Sequence, residues 1–221
     1  MIKLIIFDLD GTLVKTNFKN LRAAREEASK YLEEKYGVKV SPSPPFFLKI
    51  YYISKEIAEK HGVDPRKIRE KVFRIIERIE LEALPYVEEK TRLRDLFTSL
   101  KKMGFKVAIL TSNSKKYARK VLERFGIADL VDKLVTRDDI ERPKPFPDGI
   151  LKICKELEVD TSQTVMIGDH PVDLEAAKRA DVKAIIVSEG DSTKLMSKEA
   201  AAIIHDISFD EIMRVIKKID C

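Results

Sequence analysis

Tryptophan is absent from this chain of 221 residues, and asparagine and glutamine together occur only at Asn17, Asn20, Asn113 and Gln163. Charged residues make up 36% of the sequence, well above the usual quarter. Abundant Lys and Glu with few thermolabile amides is the compositional drift of heat-adapted proteins, and a thermophile origin is expected on that basis. The two cysteines are too few for a disulfide framework. Cys154 falls on the apolar stripe Ile150, Leu151, Ile153, Cys154, Leu157 and reads as a small core residue. Cys221 is the last residue, where fraying is expected. No run approaches the roughly 18 apolar residues of a membrane span. The first apolar run, Ile2 to Phe7, is too short for a secretory leader and passes straight into a charged motif, so a soluble, cytoplasmic protein is expected.

Hydrophobic residues, at 44%, suffice for a buried core. The net charge of +5 is modest. Between Lys15 and Glu88 there are 16 Lys and Arg against 12 Asp and Glu, a mild excess suited either to steering an anionic substrate or to a solvated helical surface. No basic block is dense enough for a nucleic-acid face.

Lys3 to Phe7 is a nearly continuous apolar run, the pattern of a strand covered on both faces. Similar runs recur at Lys106–Leu110, Thr164–Ile167 and Ala184–Val187, with a weaker one at Leu134–Val135 and an edge strand expected at Ala202–Ile204. Helical patterns separate most of them, at Leu93–Met103, Lys115–Phe125, Gly149–Leu157 and Leu174–Arg179. Gly104 and Gly126 follow two of these helices, where C-terminal caps belong. The alternation predicts an α/β fold with a doubly wound parallel sheet. The stretch from Lys15 to Glu88 breaks it, reading as helices only: Phe18–Tyr36, Ile50–His61 and Pro65–Leu84. The proline-rich Ser41–Pro45 separates the first two. An all-helical module inserted after the first strand is the simplest account.

Asp8 and Asp10 close the first strand. Two residues apart on an extended chain they share a face, at the carboxyl end where open α/β sheets place ligands. Adjacent carboxylates repel, so the pair calls for a shared proton or a cation, and a hard oxygen-seeking ion such as Mg2+ fits best. Gly11 permits a sharp turn and Thr12 can hold it. Thr111-Ser112-Asn113-Ser114 lies between a strand and a helix, where hydroxyls and free amides make an anion site. Lys144 stands between Pro143 and Pro145, which stiffen the backbone that aims its ammonium, and reads as countercharge. Gly168-Asp169 through Asp173 is a second strand end carrying an acidic pair.

In this order the four motifs resemble those of the haloacid dehalogenase (HAD) superfamily, and within it the phosphoglycolate-phosphatase-like phosphatases. The match spans nearly the whole chain. The resemblance implies a Rossmann-like HAD core from residues 1–14 and 89–221, and an all-helical cap domain from residues 15–88. It implies a Mg2+-dependent phosphatase in which Asp8 attacks phosphorus and Asp10 serves as acid, then base. Thr111, Ser112 and Asn113 would hold the phosphoryl group, and Lys144 would offset charge on nucleophile and phosphate. Asp8, Asp169 and the backbone carbonyl of Asp10 would bind the metal, with Asp173 orienting Lys144 or the metal's water shell. A cap over the site implies a small phosphorylated metabolite, phosphoglycolate or a sugar phosphate, as partner.

Lys15 and Thr16 stand where these enzymes often carry Asp-Ser, and Lys15 is read as a hydrated surface residue at the hinge. His170 occupies a position usually held by a small residue and is read as a turn residue. Phe46, Phe47, Tyr51 and Tyr52 are read as core of the helical module. Dehalogenase chemistry is set aside, since it needs neither Asp10 nor a metal. A phosphosugar mutase of the same fold is the alternative, and a non-catalytic binding protein a more distant one.

Overall fold

The computed structural model describes residues 1–16, 21–188 and 198–220. The chain enters the sheet with β1 (Leu4–Phe7), every residue of which is buried. It leaves through the short β2 (Val14–Lys15), forms three helices, α1 (Leu21–Tyr36), α2 (Phe46–His61) and α3 (Pro65–Ala83), and returns through β3 (Glu88–Glu89). The alternation follows: α4 (Leu93–Lys102), β4 (Lys106–Leu110), α5 (Lys115–Arg124), β5 (Lys133–Val135), α6 (Asp148–Glu156), β6 (Thr164–Gly168), α7 (Pro171–Arg179), β7 (Lys183–Val187), β8 (Ala202–Ile204) and α8 (Phe209–Ile219).

Six strands form one parallel sheet in the order β5-β4-β1-β6-β7-β8. The order reverses around β1, so the carboxyl ends of β1, β4 and β6 adjoin. Alternate strand residues feed two cores, as the period of two requires. Ile5, Phe7, Val107, Ile109 and Val165 pack with α4, α5 and α8 on one face. Leu4, Ile6, Ala108, Leu110 and Met166 pack with α6 and α7 on the other. The sheet is therefore doubly wound, as expected. α1, α2 and α3 enclose a separate core around Ala28, Leu32, Ile50, Ile57, Val72 and Ile76. β2 and β3 pair antiparallel, Val14 opposite Glu89 and Lys15 opposite Glu88, and form the neck joining this module to the sheet. Among the described residues no helix is long and apolar enough to cross a membrane.

Several boundaries differ from the sequence reading. α2 begins at Phe46 rather than Ile50, because proline restricts the residue before it and Pro45 can stand at the helix edge. α7 begins at Pro171 rather than Leu174, since proline fits a first helical turn and His170 and Asp173 cap each other's backbone. α8 was absent from the expected elements. Its signal is present, however, in the Ser208 cap, in Asp210 and Glu211 in the first turn, and in the stripe Ile212, Val215, Ile216. Residues 17–20, which the expected first helix included in part, and Cys221 lie outside the described residues. Cys154 is buried, as its stripe implied.

Phe97 of α4 stacks on Phe7 with ring centroids 5.4 Å apart, directly beneath the strand end that carries Asp8. Phe97→Ala is expected to cost about 3–5 kcal/mol of unfolding free energy in urea titration. A loss below about 1 kcal/mol would contradict this packing.

Candidate active site

The backbone N–H of Asp8 donates to the Ile167 carbonyl at 2.8 Å, tying the ends of β1 and β6 together. Gly11 then turns the chain with φ +88°, and a Cβ there would lie 2.3 Å from Asp169 Oδ2. A Cβ on Gly168 would lie 2.5 Å from that of Asp173. These two glycines are what allow three carboxylates to gather: one oxygen each from Asp8, Asp169 and Asp173 lie within 4.8 Å of one another. Buried Thr12 donates to Asp169 Oδ1 at 2.9 Å. Lys144 reaches in from the loop before α6. Its Nζ donates to Asp8 Oδ1 and Asp173 Oδ1, both at 2.6 Å, and to the Leu110 carbonyl at 3.3 Å.

Lys144 thus bonds two of the three carboxylates, and Lys90 acts on Asp169 as a second, weaker countercharge. Burial raises the Asp8 carboxyl well above its usual range; Lys144 opposes this, and Asp173 and Asp169 reinforce it. Asp169 is raised too, by burial first and then by Asp173. Burial alone would depress Lys144, but Asp173 and Asp8 outweigh it and hold the ammonium above its ordinary range. An excess of negative charge on oxygen-only donors suits a hard divalent cation such as Mg2+. The residues present therefore fit the metal that the sequence motifs imply.

Asp10 faces elsewhere. Its Oδ1 accepts from Tyr117 Oη at 3.2 Å and from Thr16 Oγ1, while its Oδ2 is buried without a hydrogen bond among the described residues. Burial pushes its carboxyl up to about 6, Glu80 adding to the rise and the Thr16 and Tyr117 bonds opposing it. A group poised there exchanges protons readily near neutral pH.

The Thr111–Ser114 loop follows β4. Ser114 caps α5, its side chain accepting from the Tyr117 N–H at 3.2 Å. Ser112 and Asn113 line a cavity of about 320 Å³ that also touches Asp8, Asp10, Lys144 and Asp169. Thr111 is not on that wall: it is buried, and its hydroxyl donates to Asn113 Oδ1 at 2.5 Å. It braces the loop from behind.

The loop is fastened to the helical module by a buried ion pair that the sequence reading missed. Arg137, in the turn after β5, bonds both carboxylate oxygens of Glu80 on α3, the Nη2–Oε2 distance being 3.1 Å. The same Glu80 oxygen accepts from the Ser114 N–H at 3.1 Å. Arg137 also donates to the Ser112 carbonyl at 3.1 Å and the Phe73 carbonyl at 3.2 Å. Its guanidinium lies 5.1 Å from the Phe47 ring centroid and 5.2 Å from that of Phe73.

Lys15 is exposed. His170 accepts from the Val172 N–H at 3.3 Å, as a turn residue would, and also lines the cavity. Phe46 and Tyr51 are buried as expected, but Tyr52 is half-exposed and is corrected from core to surface; Phe46 and Phe47 serve the cavity wall as well as the core. Tyr117 and Lys90 were also missed. Tyr117 reads as core on an amphipathic helix, and the partner its buried hydroxyl needs was the available clue. Lys90 follows the neck and donates to the Gly11 carbonyl.

A doubly wound α/β enzyme with its acidic centre at the ends of β1 and β6 is the class these features define. The model of the haloacid dehalogenase-like hydrolases matches residues 5–187, and the chain belongs to that family. Pyrophosphatase PpaX of Halalkalibacterium halodurans is 29% identical, the match covering 84% of this chain and 83% of the relative. Validoxylamine A 7′-phosphate phosphatase of Streptomyces hygroscopicus subsp. limoneus is 28% identical over 94% and 95% of the two chains. Among solved structures, a predicted phosphoglycolate phosphatase from Haemophilus somnus shares the fold with a TM-score of 0.67, 21% identity, and coverage of 97% of this chain and 98% of that one. β-Phosphoglucomutase of Clostridium difficile does so with a TM-score of 0.66, 21% identity, and coverage of 99% and 98%.

Arg137→Met should cost about 3–5 kcal/mol by leaving the Glu80 charge buried without its partner. The double variant Glu80→Met/Arg137→Met should recover most of that loss in denaturant titration. A double-variant loss equal to the sum of the losses in Glu80→Met and Arg137→Met would show that the pair is not coupled.

Proposed function

We propose that the protein is a Mg2+-dependent phosphatase of a small phosphorylated metabolite, working through an aspartyl phosphate on Asp8. The observation that carries this reading is the Lys144 ammonium held 2.6 Å from both Asp8 and Asp173, with Asp10 separately poised as an acid. A carboxylate that must approach an anionic phosphate needs such countercharge. In the first step Asp8 oxygen bonds to phosphorus as the ester P–O bond breaks, and the leaving alcohol oxygen takes the proton of Asp10. In the second, water attacks phosphorus and gives a proton back to Asp10. The bond to Asp8 breaks and inorganic phosphate leaves.

Ser112 and Asn113, on the cavity wall, would contact the phosphoryl oxygens, with Thr111 holding their loop. Asp8 and Asp169, with the backbone carbonyl of Asp10, would hold Mg2+, and Asp173 would keep Lys144 in place. The bound ion would supply positive charge to the phosphoryl oxygens. Residues 15–88 would act as a cap over a core of residues 1–14 and 89–221, which favours small soluble substrates such as phosphoglycolate or a sugar phosphate.

Inorganic phosphate release from phosphoglycolate, sugar phosphates, pyrophosphate and an aryl phosphate should require Mg2+. Asp8→Asn should lower it roughly 10⁴-fold or more, and Asp10→Asn about 10²- to 10⁴-fold. Release that survives Asp8→Asn would sink the aspartyl-phosphate route. Isomerisation of a sugar phosphate without phosphate release would favour the mutase.

A further inference from the structure

The cavity above Asp8 is chemically lopsided. On the sheet side its wall is acidic, with Lys144 committed to Asp8 and Asp173. On the helical side it is apolar, formed by Leu21, Pro45, Phe46 and Phe47, with two charged exceptions. One is Glu80, already bound to Arg137 and the Ser114 N–H. The other is Arg25 of α1. Arg25 and Lys144 are the Lys and Arg side chains among the described residues lining this space.

Arg25 is uncommitted. Its Nε is sealed from water and, among the described residues, has no hydrogen-bond acceptor. Among the described residues its guanidinium has no ion-pair partner, although five carboxylates line the same cavity. What does hold it is the Phe46 ring, whose centroid lies 5.6 Å from Cζ. A cation–π contact fixes a guanidinium in place while leaving its in-plane donors open. Burial pushes this guanidinium below its usual value, the expected sign for a cation lacking countercharge. Nε is the sealed donor, so the Nη groups are the ones a ligand oxygen in the cavity would meet.

We infer that Arg25 receives a second anionic group on the alcohol half of the substrate. The substrate class is then a phosphomonoester or phosphoanhydride with a carboxylate or further phosphoryl group at its far end, any hydrocarbon between the two packing against Phe46 and Phe47. This deepens the phosphatase reading and rests on the same cavity.

The test is a calorimetric binding comparison in the Asp8→Asn background with Mg2+, where turnover is removed. The matched pairs differ only in the distal anion: ethyl phosphate against phosphoglycolate, phenyl phosphate against 4-carboxyphenyl phosphate, and methyl phosphate against pyrophosphate. The anionic member of at least one pair should bind roughly 10- to 100-fold tighter, the worth of one charge-assisted hydrogen-bonded pair. The pair that responds distinguishes carboxylate from phosphoryl. Arg25→Gln should bring that ratio close to one, and Arg25→Lys should keep part of it, which separates lost charge from a damaged fold. A ratio that survives Arg25→Gln, or no preference in any pair, would overturn the assignment. Because the readout is binding, it reports on Arg25 even if phosphate release by the unmodified chain fails and the phosphatase reading with it.

Discussion

The ammonium of Lys144 is the charge on which the site depends. Three carboxylates gathered at the ends of β1 and β6 and the start of α7 would repel one another in a buried setting, and Lys144 makes the arrangement tolerable by bonding two of them at once. It does not neutralise the third. That shortfall would favour a further cation there, and burial, with the neighbouring carboxylates adding to it, raises the Asp8 and Asp169 carboxyls. Gly11 and Gly168 serve this one requirement, because any side chain at either position would meet an acid of the cluster.

Around that centre the labour is divided between sheet and helices. The sheet supplies groups at fixed spacing, since β1, β4 and β6 are buried and hydrogen-bonded on both sides. The helical module supplies most of the remaining walls and, through Glu80, part of the support for the Ser112–Ser114 loop. Asp10 lies where the two meet, bonded by Thr16 at the neck and Tyr117 on α5. Its raised carboxyl follows from being buried at that junction.

Much of the centre was legible in the sequence because Asp8, Asp10 and Asp169 follow directly on strands. Continuous apolar runs such as Leu4–Phe7 mark strands buried on both faces, and the polar residues that follow them must lie at the ligand-binding edge. Asp8, Asp10 and Asp169 could be found this way, and Lys144 by the prolines on either side of it. Arg25, Glu80, Arg137 and Tyr117 could not. Each belongs to a helix or a turn, where periodicity separates an apolar face from a polar one but cannot say which polar residue is folded inward against a distant partner. Glu80 and Arg137 are 57 residues apart, and only the packing of α3 against the turn after β5 joins them. Thr111 was legible as part of the loop, yet its hydroxyl faces Asn113 rather than the cavity.

The paired strands β2 and β3 carry a consequence for how such a chain can change. Departure and return are hydrogen-bonded neighbours, so the excursion between them is closed at its base whatever its length. Closing a longer loop costs only slowly more entropy, and here the neck fixes both ends by backbone pairing rather than by the helices beyond. Helices in the excursion could be lengthened, shortened or exchanged while β1 and the carboxylates at its end kept their places. The helical wall of the cavity is free to drift over an acidic centre that is not.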